Sequence, residues 1–338
     1  MIRRCAPGNR NGFGRADHLF VYMDYADAGV DIDASDSAVE ALAGELGIYA
    51  GDYAGVMELG GLAVGLTTDG VGTKILVAEA VGDYSTIGID CVAMNANDLI
   101  AMGLEPRAFV DYVVVEEPDD DVAAQLGEGL REGAERAGAA VLGGETAVMP
   151  EVVSGVDLAG TCMGTADPDE VIDGTAVEPG DALVGFPSSG VHSNGLTLAR
   201  KAVTRRHDYG DELPYDGRTI GEELLEPTRI YTEALAAAQQ HDVHGMAHVT
   251  GGGFTNLGRI ADHRFVVDDP LPIPPIFDFV KEEGDVSEEE MHRTFNMGTG
   301  FVIAAAPDAA EAIASGTDAS VIGRVEEGDG VVVRGLEL

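Results

Sequence analysis

The chain has very little cysteine, tryptophan and lysine, and these shortages argue against several kinds of protein. Its 338 residues include no tryptophan, three cysteines and 20 basic residues, of which only Lys74, Lys201 and Lys281 are lysines. The odd number and wide spacing of the cysteines argue against a disulfide framework or a zinc site, and favour a reducing cytoplasm. No apolar stretch approaches the ~20 residues of a membrane span, so we expect no membrane partner.

Positive charge is scarce as a whole. The chain has 60 acidic residues against 20 basic ones, which gives a formal net charge of −40. No basic patch is available to neutralise phosphates, so we expect no nucleic-acid partner. The apolar content of 45% is too high for a disordered acidic protein. A lysine-poor acidic surface is typical of adaptation to molar salt, where charges are screened within about 3 Å, and predicts a halophilic source.

The first 22 residues depart from this acidic pattern. They contain four arginines against a single acid, whereas the acidic composition begins directly after Met23. They also lack an apolar run long enough for a signal peptide. We therefore predict that translation starts at Met23 and that residues 1–22 are a non-native or disordered leader.

The segment 67–74 reads Thr-Thr-Asp-Gly-Val-Gly-Thr-Lys and keeps one of the three lysines. The apolar run before it predicts a strand that brings Asp69 and Lys74 to one place beside a glycine-rich turn. A carboxylate that holds a cation, glycine amides and an ammonium together suit a metal-bound polyphosphate. The alternative is a hairpin turn with a surface lysine, and the segment alone does not decide between the two.

The apolar pattern of residues 85–102 predicts a helix, and Ser85 can cap its N-terminus. Asp90, Asn97 and Asp98 fall within an arc of about 100° on this helix. Polar groups on an apolar helix need partners, because an isolated buried carboxylate is costly. A metal or ligand is one candidate partner, and a neighbouring loop or an arginine is the other.

Strand-like and helix-like segments alternate along the chain, which predicts an α/β protein with mixed sheets. The stretch 167–180 is rich in turn residues and acids, and it marks the predicted domain boundary. We therefore expect an amino-terminal domain at 23–167 and a carboxy-terminal domain at 168–338.

The second half contains two glycine-rich loops, 188–195 and 250–253. Each follows a predicted strand, precedes a predicted helix and has a histidine close by, His192 or His248. Free amides and the helix dipole at such a junction can bind an anion. Most such loops bind nothing, so the inference depends on finding two of them in one domain. A Ser-His-Asp hydrolase is not indicated, because His192 and Ser193 are adjacent and no G-x-S-x-G elbow exists.

Several motifs carry a family resemblance when they are taken in order and at their spacing. Together they resemble the phosphoribosylformylglycinamidine cyclo-ligases, also called aminoimidazole ribonucleotide synthetases, from about Tyr25 to Val333. Small departures at Val191, Leu104 and Met297 concern packing rather than chemistry. The motifs are 25–33, 69–74, 88–98, the Asp-x-x-x-x-Gly-x-x-Pro signature at 98–106, 143–150, 188–195, 248–254 and 291–298.

The resemblance implies a homodimer of two-domain subunits joined through their amino-terminal domains. It also implies ATP-dependent closure of formylglycinamidine ribonucleotide to 5-aminoimidazole ribonucleotide in purine synthesis. ATP would phosphorylate the amide oxygen, and the amidine nitrogen would attack the resulting iminophosphate. Such phosphoryl transfer depends mainly on positioning and charge neutralisation. ATP and Mg²⁺ are the implied cofactors, with K⁺ as a further candidate cation.

The resemblance also implies the site residues. Asp69 and Asp98 would hold Mg²⁺, with Asp111 as a weaker third candidate. The catalytic candidates are Lys74 as a phosphate ligand, His192 for proton handling or phosphate binding, and Glu145 for an orienting or base role. For His192 and Glu145, bracing of a loop is the alternative. The predicted nucleotide- and substrate-binding set is Asp69, Gly70, Gly72, Thr73, Lys74, Asn97, Ser188, Ser189, Gly190, Ser193, Asn194, Thr250, Gly251, Gly252 and Gly253.

Related enzymes and a regulator are the alternatives. Thiamine-phosphate kinase shares an Asp-rich nucleotide site, and selenophosphate synthetase needs a reactive cysteine or selenocysteine in an early glycine-rich loop. The middle and late motifs fit the cyclo-ligase better than either. The related amidotransferase carries two such units in its long forms, and one unit fits this length. A non-catalytic nucleotide-binding regulator would predict loss of the acids and the lysine, all of which are present.

Overall fold

The computed structural model describes Met23, residues 28–29, the helix 32–46 and residues 53–338, except for the side chains at 32–36 and 40. The predicted leader lies outside this part of the chain, so that prediction is untested. Most of the predicted motif at 25–33 also lies outside it.

The amino-terminal half is built on a five-stranded sheet in the order β1-β2-β5-β3-β4. β3 and β4 are parallel and the other pairs are antiparallel. Its strands are β1 (Gly55–Leu59), β2 (Leu62–Gly70), β3 (Glu105–Val115), β4 (Ala140–Val148) and β5 (Val156–Ala166), and its helices are α1 (Ile32–Leu46), α2 (Ile75–Val81), α3 (Ile87–Ala101) and α4 (Asp120–Ala137).

The carboxy-terminal half is built on a seven-stranded sheet in the order β12-β11-β8-β10-β6-β9-β7. Its strands are β6 (Ala182–Pro187), β7 (Val243–His248), β8 (Arg264–Val267), β9 (Thr299–Ala305), β10 (Ser320–Glu326), β11 (Val331–Val333) and β12 (Leu336–Glu337). Its helices are α5 (Leu196–Val203), α6 (Ile220–Leu224), α7 (Thr232–Ala238), α8 (Pro275–Gly284), α9 (Glu288–Thr294) and α10 (Pro307–Gly316). The predicted α/β class with mixed sheets is therefore confirmed, while the limits of the two domains stay a prediction.

Helix α3 is almost wholly buried and runs between the two halves. It confirms the helix predicted from the apolar pattern, but it begins two residues later, and its N-cap is Thr86 without a side-chain cap bond. Its contact with α4 is close because Gly88 has no side chain, since a Cβ there would lie 2.1 Å from the Leu130 amide nitrogen. Helix α3 is therefore surrounded by other parts of the protein. Its polar side chains must find their hydrogen-bond partners within the protein.

One face of the first sheet packs on α3 and α4, and the outer face is exposed and apolar. Strand residues point alternately to the two faces, and the pairing register gives the outer set. The exposed apolar side chains of the outer face are Met57, Leu59, Leu62, Leu66, Val110 and Tyr112.

Among the described helices, none combines the length and the apolar content needed to cross a bilayer.

Candidate functional site

The centre of the site is a contact between α3 and the end of β7. Nδ1 of His248 lies 2.9 Å from a carboxylate oxygen of Asp98, and Nε2 lies 3.3 Å from the Asn97 amide nitrogen. Asn97 accepts the Tyr231 amide through its oxygen at 3.0 Å and donates to the Arg229 carbonyl at 2.9 Å. These bonds fix the orientation of the Asn97 amide. Nε2 of His248 therefore accepts, and its Nδ1–H donates to Asp98.

Asp69 is the penultimate residue of β2 and belongs to the same site. Burial, with the charge of Asp98 as the next contribution, raises the pKa of Asp69 to about 6, although the Gly70 amide donates to the carboxylate at 2.7 Å. A buried carboxylate whose charge is disfavoured by a second carboxylate nearby forms a place where a hard cation is stabilised. Within the described part of the chain, no group of three potential ligands is placed to hold a metal ion. A cation here would therefore take its other ligands from substrate oxygens or water.

The first loop, 188–195, presents hydrogen-bonding groups without partners. His192 adopts a left-handed backbone with φ of 68°, and its Nε2 accepts the Ser189 amide at 3.1 Å. Its Nδ1 must then carry the proton of the neutral ring. That nitrogen is buried and has no hydrogen-bond partner among the residues described, and the same holds for the hydroxyls of Ser188, Ser193 and Thr299.

The electrostatics of His192 follow from its surroundings. Burial is the main cause that lowers its pKa well below the ordinary value, and the nearby cations Lys74 and Arg229 act in the same direction. The imidazole is therefore neutral at neutral pH and offers a proton donor without carrying a charge. Four buried groups without partners in one loop region are unusual in a native protein and indicate a ligand.

The second loop, 250–253, lies against the first. A Cβ on Gly251 would be 3.4 Å from the side-chain oxygen of Asn194, so the two loops adjoin. The amide of Thr250 donates to Asn256 at 2.7 Å. The helix predicted after this loop is a 3-10 helix, which spans Gly253–Arg259.

The chain matches two family models that together cover most of its length. The models described as AIR synthase related protein, N-terminal domain and C-terminal domain, match residues 51–166 and 178–335. The chain belongs to the AIR synthase family. This confirms the resemblance stated from the motifs.

Two curated relatives within the AIR synthase family share nearly the whole chain. A phosphoribosylformylglycinamidine cyclo-ligase from Methanococcoides burtonii is 47% identical over 94% of this chain and 98% of its own length. One from Pyrococcus furiosus is 46% identical over 92% of this chain and 97% of its own. Among solved structures, AaThiL complexed with AMPPCP and TMP covers 89% of this chain and 93% of its own, with a TM-score of 0.67 and 18% identity. That last likeness shows the fold alone.

Asp111, predicted as a weaker metal candidate, lies two strands away from Asp69 on the same face of the first sheet. Asp69 and Asp111 both pair with Gly160 of β5, one from each side, so their backbones are about 10 Å apart. The Phe109 ring lies over Gly160, where a Cβ would be 2.0 Å from its Cζ. Asp111 instead faces α4, and burial raises its pKa.

Glu145 also lies apart within one chain. It pairs with Tyr112, whereas its neighbour Gly144 pairs with Asp111 in the row that contains Asp69. Because neighbouring residues of a strand point to opposite faces, Glu145 lies on the outer face of the sheet and Asp69 on the helix face. Glu145 is exposed on the edge strand β4.

Lys74 does not occupy a surface position, so the alternative of a hairpin with an exposed lysine was wrong. The side chain is fully buried, and its nitrogen lies 2.9 and 2.8 Å from the two oxygens of Asp90 and 2.6 Å from the Glu226 carbonyl. Thr73 of the same turn contacts Thr197 at the start of α5, with 2.8 Å between the hydroxyls. The turn therefore lies next to the helix that follows the first loop.

The polar side of α3 is satisfied largely by a segment that the sequence argument had not singled out. Asp90 accepts the amide and hydroxyl of Thr228 at 2.8 and 2.6 Å, and Thr86 donates to the Leu225 carbonyl at 3.0 Å. For Asp90 and Asn97 the partner is thus a neighbouring loop, the second of the two alternatives. No residue type in 225–231 signals this role, since backbone groups make most of the bonds.

Asn296 is a second residue that sequence reasoning missed. Its amide nitrogen donates to the carbonyls of Gly190 and Val191 at 2.9 and 3.3 Å, and its oxygen accepts the Gly298 amide at 2.9 Å. It therefore braces the first loop from the segment 291–298. The family motif there was a signal for the segment but gave no role for this side chain.

Proposed function

We propose that the protein closes formylglycinamidine ribonucleotide to 5-aminoimidazole ribonucleotide in purine biosynthesis, and that it converts ATP to ADP and phosphate in doing so. The observation that carries the proposal is 47% identity, over 94% of the chain, to a relative named for this reaction. The site supports it, because an acid pair and two adjoining polar loops meet beside α3.

Asp69 and Asp98 are the proposed Mg²⁺ ligands, together with phosphate oxygens. Their donor chemistry fits, because carboxylate oxygens suit a hard cation, and the raised pKa of Asp69 reports a carboxylate without a neutralising partner. When bound, Mg²⁺ supplies neutralisation of charge on the transferring phosphoryl group. His248 donates to Asp98 and so holds that carboxylate in one orientation. K⁺ remains a further candidate cation.

The two loops are proposed to bind the phosphates of ATP and of the ribonucleotide. The unpartnered groups of Ser188, His192 and Ser193 are donors that phosphate oxygens would satisfy. AaThiL, of the same fold, is complexed with AMPPCP, which supports nucleotide binding by this architecture. The neutral ring of His192 would act by donating a hydrogen bond rather than as an imidazolium acid.

The proposed chemistry runs through activation of the amide. An amide oxygen is a poor leaving group, so ATP first phosphorylates it to give an iminophosphate, and the amidine nitrogen then attacks and expels phosphate. The second step is intramolecular, so holding the two ends close supplies much of the rate. An orienting or base role for Glu145 remains part of the proposal.

The proposed dimer would bury the outer face of the first sheet. That face carries six exposed large apolar side chains, and contiguous patches of this kind on soluble proteins mark interaction surfaces. Glu145 lies on the same face, so a dimer would place it at or near the interface. A cytoplasmic location is proposed from the free thiols of Cys91 and Cys162.

The test is ATP-dependent formation of 5-aminoimidazole ribonucleotide in molar KCl. Wild type and Asp242→Asn should both form product, since the Asp242 side chain is 90% exposed and has no proposed role in the site. Asp98→Asn should not. ATP binding without product in the wild type would contradict the proposed reaction and favour a related enzyme or a regulator. Light scattering after gel filtration, with Leu66→Glu as the interface variant, tests the dimer.

A further inference from the structure

Lys74 and Asp90 form an ion pair that is closed to solvent and lies between the two halves of the chain. Both side chains have zero exposure, and the Lys74 nitrogen lies within 2.9 Å of both Asp90 oxygens. A buried pair of this kind is stable only when its remaining hydrogen-bonding groups are also satisfied. The carboxy-terminal half supplies further bonds: the Glu226 carbonyl accepts from Lys74, and the amide and hydroxyl of Thr228 donate to Oδ1 of Asp90. Oδ2 of Asp90 contacts the Lys74 ammonium and has no further partner among the described residues.

These bonds hold what we call the bridging segment, residues 226–231. From it, contacts lead to the first loop: the Pro227 carbonyl accepts the Ser189 hydroxyl at 2.6 Å, and the Ser189 amide donates to His192 at 3.1 Å. His192, which carries one of the unpartnered donors, is therefore linked to Lys74 through three hydrogen bonds and the peptide bond between Glu226 and Pro227.

The same segment also leads to the acid pair. The Arg229 carbonyl and the Tyr231 amide both bond to Asn97, which donates to His248, which in turn donates to Asp98. The segment is thus the physical connection between the buried ion pair and both parts of the site. Ligand binding by Lys74 would need an exposed ammonium, whereas all the donors of this one are directed at Asp90 and Glu226.

We propose that Lys74 is a positioning residue rather than a phosphate ligand: with Asp90 it fixes the bridging segment, which sets the first loop against α3. The proposal uses the proposed function only for its activity readout. It predicts that Lys74 and Asp90 act as one unit, so that removal of either has the same consequence at the loop.

The experiment compares Lys74→Met, Asp90→Asn and the double variant, with Lys281→Met as a matched control, because Lys281 pairs with Glu288 at the surface. Amide hydrogen exchange of the 188–195 peptide is the readout that does not depend on activity. We expect about tenfold faster exchange there in both single variants, no further increase in the double variant and no change in the control. Binding of AMPPNP, measured by calorimetry, should shift to the same extent in both single variants.

A phosphate ligand would behave differently. Lys74→Met would then weaken AMPPNP binding tenfold or more, while Asp90→Asn would leave it unchanged and the 188–195 exchange would stay at the wild-type rate. That result would overturn the proposal.

Thr228 provides a test for the case in which the lysine variant does not fold. Thr228→Val removes the hydroxyl that Asp90 accepts and keeps the backbone amide bond, so it should speed exchange at the loop and lower kcat. Thr228→Ser restores the hydroxyl and should restore both. Equal behaviour of Val and Ser at this position would contradict the proposed path. If the wild type forms no product, only the proposed reaction is contradicted, because the exchange data would still decide the role of Lys74.

Discussion

Asp90 and Asp98 lie two turns apart on α3, yet their surroundings are opposite. Asp90 is fully buried, faces Lys74 with both oxygens and accepts two further bonds from Thr228. Asp98 is partly exposed, has His248 as its one hydrogen-bond partner among the described residues, and raises the pKa of a second carboxylate, Asp69. The acid paired with Lys74 joins the two halves of the chain, and the acid beside Asp69 lies at the proposed place for a cation.

The largest expected effects come from exchanging each acid for its amide. Asp90→Asn leaves the Lys74 charge buried without its partner, so we expect the free energy of unfolding to fall by about 3 kcal/mol. Asp98→Asn should change it by less than about 1 kcal/mol while kcat falls by at least ~10³-fold. Urea unfolding and steady-state kinetics on both variants measure this. Equal loss of stability in the two would remove the distinction between them.

Asp69, which lies beside Asp98, should make the free energy of unfolding depend on pH. Its pKa is raised from 3.8 to about 6, so the folded state binds a proton more tightly than the unfolded state. The protonated Asp69 side chain makes its full contribution to the free energy of unfolding below about pH 4, and this contribution is lost as the pH rises through about 6. Asp69→Asn should therefore be more stable than metal-free wild type at pH 7.5, by roughly 2–3 kcal/mol, and the difference should vanish towards pH 4.

The measurement is urea unfolding in EDTA at pH 4.5 and 7.5. Glu311→Gln is the control, because Glu311 is exposed and has no ion-pair partner among the described residues, so it should give the same small difference at both pH values. A stabilisation by Asp69→Asn that does not depend on pH would contradict the assignment. Mg²⁺ should raise the stability of wild type more at pH 7.5 than at pH 4.5, and should leave Asp69→Asn nearly unchanged.

The hydroxyls of Ser193 and Thr228 differ in the same way as the two acids, and we expect smaller effects from removing them. Ser193 is buried without a partner among the described residues, whereas the Thr228 hydroxyl donates to Asp90 at 2.6 Å. Ser193→Ala removes no bond, so stability should stay within about 0.5 kcal/mol, while KM for one of the two substrates rises. Thr228→Val should cost about 1–2 kcal/mol, because it removes one of the three hydrogen bonds that Oδ1 of Asp90 accepts. Thermal unfolding in the absence of ligands would decide; a large loss in Ser193→Ala would mean that the hydroxyl has a structural bond.

The sequence was enough to predict the α/β class, helix α3 and the clustering of its polar side chains. Periodicity and spacing carry that information, because they depend on residues near one another in the chain. The same pattern left the partner of Asp90 open, since Thr228 lies 138 positions away and contributes a backbone amide that any residue but proline would offer. The burial of Lys74 was missed for the same reason.

The candidate site was predictable in part. The acids at 69 and 98 and the two loops could be found from their residue types, and family motifs placed them in order. The left-handed backbone of His192 and the bracing by Asn296 depend on tertiary packing, and no local pattern signals either. Glu145 and Asp111 were grouped with the site by the family resemblance. The strand register, which no motif gives, places Glu145 on the outer face of the sheet and Asp111 two strands from Asp69 on the helix face.

The smallest expected effect contrasts the buried pair with an exposed one. Arg136 and Glu132 lie 2.5 Å apart on α4, and both side chains are more than two-fifths exposed. An exposed i,i+4 pair stabilises by about 0.3–0.5 kcal/mol and is screened by salt, so Arg136→Gln should cost no more than about 0.5 kcal/mol in dilute buffer and nothing measurable in molar KCl. Lys74→Met should remain destabilising in both media, because no ions reach the pair. Urea unfolding of the two variants at low and molar KCl measures this. A salt response of Lys74→Met equal to that of Arg136→Gln would mean that solvent enters the Lys74–Asp90 pair and that its apparent burial does not isolate it.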